Sequence, residues 1–201
     1  TATVAPYADV AANRWSAGAI AYCTNEGIIA GDGNGKFNPT DKVLGVQFAK
    51  MLLVALGYDP QIEQLVGNSW AINTAKLAAS AGLDKGLDIS LSAALTREQA
   101  AQMAFNAMTA RMVDYTGGTN ITTPDGTTIV VDADRYYVGH TTTTGYRMDV
   151  ANDEYTQFCE QYASKLKLNK GSSDDLDRPS NEWVFENKSI GTYAQKAAVV
   201  Y

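Results

Sequence analysis

Residues 15–31 read WSAGAIAYCTNEGIIAG, and residues 70–86 read WAINTAKLAASAGLDKG. In each stretch a glycine follows the tryptophan by twelve positions (Trp15 to Gly27, Trp70 to Gly82). An apolar residue comes next (Ile28, Leu83), and a further glycine stands three beyond it (Gly31, Gly86). In the first stretch Trp15, Ala19, Ile20 and Cys23 recur at the spacing of one helical face, with Asn13 placed to cap the start. Gly27 falls where a chain leaving a helix turns through left-handed backbone, which glycine adopts without a Cβ clash. The pattern predicts a helix, a turn, and an apolar plug (Ile28, Ile29) into a core.

Each stretch runs on into a loop and a second helical pattern. After the first, residues 31–35 (GDGNG) are rich in turn formers, and Phe37 and Pro39 pin the loop. A helix is expected over about 45–56, with Phe48, Leu52, Leu53 and Leu56 apolar and Gly57 as its stop. After the second stretch the loop is about three residues shorter, so Gly45-Val46-Gln47-Phe48 aligns with Arg97-Glu98-Gln99-Ala100. Thr96 to Gln99 is a capping box: the Thr96 hydroxyl accepts from the amide three residues on, and Gln99 reaches back. The helix then continues through Ala100, Met103, Ala104, Ala107 and Met108. The first copy has Leu44 where Thr96 stands, so Thr40 or Asp41 is the expected starter of its helix. These features divide the first half into tandem helix–loop–helix repeats at 6–60 and 61–112.

Composition narrows the function. The chain has 201 residues, 45% hydrophobic and 19% charged, enough apolar material for a packed core. Its net charge is -6 and its pI about 4.7, which argues against nucleic acid or anionic lipid as partner. An anionic polymer would need a local Arg or Lys acting against the global field. No run of ~18 apolar residues is present, so no membrane span is expected. His140 is the single histidine and lies in a threonine-rich stretch, which argues against histidine-based catalysis or a histidine metal site. Cys23 and Cys159 lie far apart and form no metal or redox spacing; Cys23 sits on an apolar helix face, and a disulfide between the two stays open. The run Asp32 to Lys36 superficially resembles a calcium loop, but Lys36 takes the fifth position and Val43 the twelfth, where a bidentate acid belongs. The acids Asp174, Asp175 and Asp177 read as a solvated loop. No phosphate loop, nucleophile elbow or metal motif occurs, so neither catalytic residue, metal nor cofactor is expected. The opening residues 1–6 are of the small, polar kind left after removal of a secretion leader, and equally the kind found inside a longer chain.

Beyond residue 112 the character changes. Residues 113–152 are rich in Thr, Gly and Val. Arms at 120–123 and 127–131 around Pro124-Asp125-Gly126 predict a β-hairpin, with shorter strands at 135–138 and 146–148. Tyr155, Phe158, Cys159, Tyr162 and Leu166 follow helical spacing, predicting a helix over about 153–166 that completes the helical bundle. Residues 170–179 read as a polar loop, and 181–189 as a strand that 190–193 extend. The apolar residues 197–201 are expected to dock in a sheet or lead into further protein. Asn120 and Asn187 each open a glycosylation sequon. The expected fold class is therefore α+β, mainly α: a helical repeat bundle followed by a smaller β-hairpin, helix and strand region at 113–201.

Tyr7-Ala8-Asp9-Val10, then Trp15, Ala19-Ile20, the turn from Gly27 to Gly31, and Phe37-Asn38-Pro39 follow one another in the order and spacing of a known repeat. With the Thr96-Arg97-Glu98-Gln99 helix start of the second copy, the chain resembles the S-layer homology family over about residues 6–112. The resemblance implies a non-catalytic module of a secreted, Gram-positive surface protein, located at the cell wall. Such repeats usually come in threes, packed about a pseudo-threefold axis, and their grooves hold secondary cell-wall polysaccharide, often pyruvylated. The family's anion contact is the Arg of its Thr-Arg motif. That role falls to Arg97 and cannot fall to Gly45, which has no side chain. Candidate carbohydrate-binding residues are Arg97, Trp70, Trp15 and Asp9. The chemistry agrees: a pyruvyl ketal is a carboxylate, which the planar guanidinium fork matches, and amides at a helix start favour an anion. Core packing is the alternative role for Trp15 and Trp70. The alternative function is structural: degenerate repeats that no longer bind glycan and pack instead against neighbouring surface-layer proteins. Gly45 favours that second reading and Arg97 the first.

Overall fold

A computed structural model of the chain describes residues 7–122, 128–140, 150–151, 153–163 and 165–194. The architecture is mixed α and β. Four helices come first: α1 (Ala17–Asn25), α2 (Gly45–Ala55), α3 (Trp70–Ser80) and α4 (Arg97–Met108). A two-stranded antiparallel sheet follows, β1 (Val113–Thr122) with β2 (Thr128–Tyr137). A short helix, α5 (Phe158–Tyr162), leads to a three-stranded antiparallel sheet of β3 (Leu166–Ser173), β4 (Pro179–Phe185) and β5 (Lys188–Ala194), in the order β3-β4-β5.

The helix stops fall where the glycines predict. Gly27, Gly57 and Gly82 all have positive φ. The amide beyond each glycine reaches back to the carbonyl five residues before it: Ile28 to Cys23 (2.9 Å), Tyr58 to Leu53 (3.1 Å), Leu83 to Ala78 (2.9 Å). The glycine amides themselves bond Thr24, Val54 and Ala79, completing the paired closure that satisfies the last helical carbonyls. At its other end α1 starts later than the periodicity predicts. Residues 11–16 are wound into turns, with the amides of Arg14 and Ala17 bonded to the carbonyls of Ala11 and Arg14. Ser16, not Asn13, takes the N-cap position, and Trp15 stands outside the helix, 91% exposed. Core packing of Trp15 is therefore excluded.

Three cores result. The largest joins α2, α3 and α4 through Leu53, Leu56, Leu65, Ala78, Leu83 and Met103, with Phe158 of α5 packed against it. Burying side chains of this size contributes about 1.5–3 kcal/mol each. A second, small core lies under α1, where Val10, Ala17, Ile20 and Ala21 meet Tyr7, Ile29 and Phe37. The third forms where Cys159, Leu166 and Trp183 pack with Met108, tying the β3–β5 sheet to the end of α4.

The second half departs from the sequence pattern most. The helix expected over 153–166 shrinks to five residues. Residues before it are drawn into extended pairing: Met112 donates to the Thr156 carbonyl, Thr156 to that of Val138, and His140 to that of Glu154. Those bonds leave Thr156 and Gln157 fully buried, so tertiary pairing overrides the helical period. Leu166 opens a strand instead of ending a helix, and residues 170–173 belong to β3, not to a loop. The strand predicted to run from 181 through 193 folds into a hairpin at Glu186 and Asn187, both with positive φ. The β-hairpin is present and longer than its predicted arms, pairing Val113 with Tyr137 through to Thr122 with Thr128. The Pro124-Asp125-Gly126 turn, the strand at 146–148 and the segment 197–201 lie outside the described residues. Cys23 and Cys159 are both free thiols.

Candidate functional site

The start of α4 is built by its capping box. Thr96 is extended (φ -76°, ψ 163°). Its hydroxyl accepts from the Gln99 amide at 3.2 Å, and its own amide donates to Gln99 Oε1 at 2.9 Å. Arg97 is the first helical residue. It is exposed, and among the described residues its guanidinium has no hydrogen-bond or ion-pair partner. The amides of Arg97 and Glu98 likewise carry no backbone acceptor there. A cationic side chain, two open amides and the positive end of a twelve-residue helix thus coincide.

A cleft of about 560 Å³ runs along the same helix between α4 and the loop at 86–89. Asp88, Glu98, Gln99, Gln102 and Phe105 line it, and Arg97 does not. The cleft is therefore acidic, with the cationic group beside it at the helix start.

The start of α2, aligned with that of α4, is closed. The Gly45 and Val46 amides donate to the carbonyls of Ala93 (2.9 Å) and Leu91 (2.7 Å), and Leu95 donates to that of Val43. Gln47 Oε1 accepts from the Leu44 amide at 2.9 Å, so the helix begins at Gly45 and not at Thr40 or Asp41. A Cβ at position 45 would lie 2.9 Å from Leu91 Cα. Glycine is needed there because the 91–95 segment crosses the helix start at close range.

The other candidate residues sit in separate surroundings, and no hydrogen bond, ion pair or ring contact joins any two of the four. Trp70 is half-buried at the first position of α3, with Lys50 Nζ 5.7 Å from its ring centre. Burial lowers the Lys50 ammonium from its ordinary range. Asp9 uses both carboxylate oxygens on backbone, accepting from the Phe37 amide at 2.9 Å and the Asn38 amide at 2.7 Å. Those bonds, Phe37's first, hold its carboxyl below the usual range. Asp9 thus clamps the loop before Pro39. Asp32 does similar work on its own turn, accepting from Asn34 at 2.8 Å and Lys36 at 3.1 Å.

Two clusters have no local sequence signal, because their members come from distant segments. In one, Glu63 Oε1 accepts from the Tyr115 hydroxyl (2.8 Å) and the Arg135 guanidinium (2.9 Å), which lies over the Tyr58 ring. Burial pushes the Tyr115 phenol well above its ordinary range. In the other, the Glu160 carboxylate, with no side-chain exposure, meets His140 at 2.9 Å and the amides of Val150 and Gln157. Both tie β1 and β2 or their flanks to neighbouring elements. No helix among the described residues is long and apolar enough to cross a membrane.

A family model described as the S-layer homology domain matches residues 6–49. The chain is also similar to a protein of Thermoanaerobacter kivui named "Cell surface protein", 28% identical over 115 residues. That match takes in 57% of this chain and 14% of the relative, so the chain spans about a seventh of that protein's length. No solved structure matches.

Proposed function

We propose that this chain, which carries an S-layer homology domain at residues 6–49 and is a surface protein of that class, helps hold a larger secreted protein to the cell wall by binding an acidic secondary polysaccharide at the start of α4. The observation that carries the reading is Arg97, exposed and unpaired beside two open helix-start amides. A pyruvylated sugar would present its carboxylate to the guanidinium fork and the amides together, each strengthening the other. Two tandem repeats, at 6–60 and 61–112, fit this assignment: α1 and α3 end in the same paired closure at Gly27 and Gly82. The exposed Trp15 offers a sugar-stacking face, whereas Trp70 is covered in part by Lys50 and Asp9 serves its loop. The role is anchoring, not catalysis.

A second reading is favoured by the closed start of α2 and the acidic cleft along α4: a module that packs against neighbouring surface-layer proteins instead of glycan. Retention of the chain on purified walls, with and without their secondary polymer, separates the two. Polymer-dependent retention is expected. Arg97→Ala should weaken it roughly ten- to hundredfold, from the ~1.5–3 kcal/mol of one charged hydrogen bond, with the fold intact. Retention on stripped walls, or an unchanged Arg97→Ala, would transfer the assignment to the second reading.

A further inference from the structure

The β1–β2 hairpin is firmly rooted at its base and unsupported beyond it. At the base the Val113 amide donates to the Leu56 carbonyl (3.0 Å), and the Tyr115 hydroxyl and Arg135 guanidinium both donate to Glu63 (2.8 and 2.9 Å). Past Tyr115 and Arg135 the ladder continues from Thr116 opposite Asp134 to Thr122 opposite Thr128. Among the described residues the hairpin packs closely on no other helix or strand. Thr116, Thr119 and Thr122 are exposed, and Ile121 is 49% exposed. A two-stranded sheet with no core of its own is marginal in water.

The two edges of the hairpin are not equivalent. Residues 115–122 of β1 (YTGGTNIT) carry no charge and no proline, whereas β2 carries Asp132, Asp134 and Arg135. Charges and prolines are the usual guards of an open strand edge. In an antiparallel pair, alternate residues turn their amide and carbonyl toward the partner strand and away from it. The amides of Val113 and Tyr115 point away from β2, to the Leu56 carbonyl and the Asp114 carboxylate. The same alternation sends the amides of Gly117, Thr119 and Ile121 outward, and no described residue outside the hairpin accepts from them. Gly117 and Gly118 have positive φ, but the pairs Thr116–Asp134 and Thr119–Val131 keep one register, so no residue is inserted and the alternation carries past them.

We infer that this edge pairs with its own counterpart: β1 of one copy runs antiparallel to β1 of a second, giving a four-stranded sheet in the order β2-β1-β1-β2. An uncharged edge meets itself without repulsion, whereas the acids of β2 would oppose such a pairing. A twofold axis at Thr119 sets Thr119 against Thr119 of the second copy and each Gly117 against an Ile121, so all three outward residues are paired. The surface is the same on both sides, so the contact closes at two copies. The paired edge is short beside the roughly 20–30 residues a side of a standard interface, which makes the dimer weak in solution and stronger where copies are held close together. The inference uses no helical face and does not need the glycan reading, since nothing at the start of α4 enters it.

Sedimentation equilibrium on the chain alone, at high protein concentration and low salt, tests it. The wild type should pass from monomer to dimer and stop there. Thr119→Lys and Thr119→Asp each set like charges opposite one another across the twofold, and each alone should dimerise several-fold more weakly. An equimolar mixture sets lysine against aspartate, so the mixed dimer should be favoured over either like pair by roughly two- to thirtyfold. Position 119 is exposed, so the circular dichroism of both variants should match the parent. A wild type that stays monomeric, growth past dimer, or dimers whose strength ignores the charge at position 119 would each overturn the inference. Arg97→Ala should dimerise as the wild type does, so loss of wall retention in that variant bears on the glycan reading alone.

Discussion

Replacing Gly57 with alanine should cost far more stability than the same change at Gly82, although both glycines close a helix in the same way. Gly82 has φ +72°, and a Cβ added there meets nothing within 4 Å. Its substitution brings only the left-handed backbone penalty for an L-residue, about 1–2 kcal/mol. Gly57 has φ +100°, further from the left-handed minimum, and an added Cβ would overlap the backbone carbonyl of Val113. A backbone atom cannot swing aside as a side-chain tip can. Relief requires moving the strand start, whose Val113 amide donates to the Leu56 carbonyl at 3.0 Å. Losing that buried bond adds about 1–3 kcal/mol to the backbone penalty. Gly57→Ala should therefore cost about 2–5 kcal/mol, against about 1–2 for Gly82→Ala. At roughly 2–4 °C per kcal/mol for a chain of this size, the melting temperatures should separate by several degrees. Urea unfolding of both variants beside the parent measures the difference. Equal midpoints for the two would refute the argument that β1 is seated directly on the end of α2.

Other outcomes follow from single sites. Thr96→Ala should destabilise α4 by about 1 kcal/mol through loss of its cap, whereas Thr96→Asn should recover most of it in the same unfolding assay. Leu53→Ala, at a fully buried position in the main core, should cost about 2–5 kcal/mol by chemical denaturation. Cys159 is buried, with its thiol pushed up to about 12 by desolvation, so a thiol reagent at neutral pH should leave it unmodified until the chain is unfolded. The Asp174 carboxyl, held to about 2 by hydrogen bonds led by the Arg178 guanidinium, stabilises the turn between β3 and β4 above its unfolded value of 3.8. That contribution should fade as pH falls from about 4 through 2, which an NMR titration would show as a midpoint near 2 that rises toward the ordinary range in Arg178→Ala, where the amides of residues 176 and 178 still donate to the carboxylate.

The legible parts of this protein were those that local chemistry decides. Gly27, Gly57 and Gly82 stop helices because the backbone must turn left-handed there, and Thr96 with Gln99 starts one because two amides need acceptors three residues apart. Such features act within a few residues, so order and spacing along the chain suffice to read them. Arg97 at a helix start belongs with these.

What only the tertiary structure decided is where each of those pieces meets the rest. The period of Tyr155, Phe158 and Tyr162 favours a long helix, but hydrogen bonds donated by Met112 and His140, and accepted by the Val138 carbonyl, draw residues 154–156 into extended pairing. Trp15 has helical spacing with Cys23 yet stands in solvent, because among the described residues no helix packs closely on α1. Gly45 looks like a lost anion contact, and its cause is the Leu91 backbone passing where a side chain would sit. Asp9 and Phe37 are far apart in sequence, and only the closed loop turns that carboxylate inward. Helix caps are settled by bonds between neighbours; burial, pairing and open faces depend on segments brought together across the chain, and a linear pattern holds no record of which ones those are.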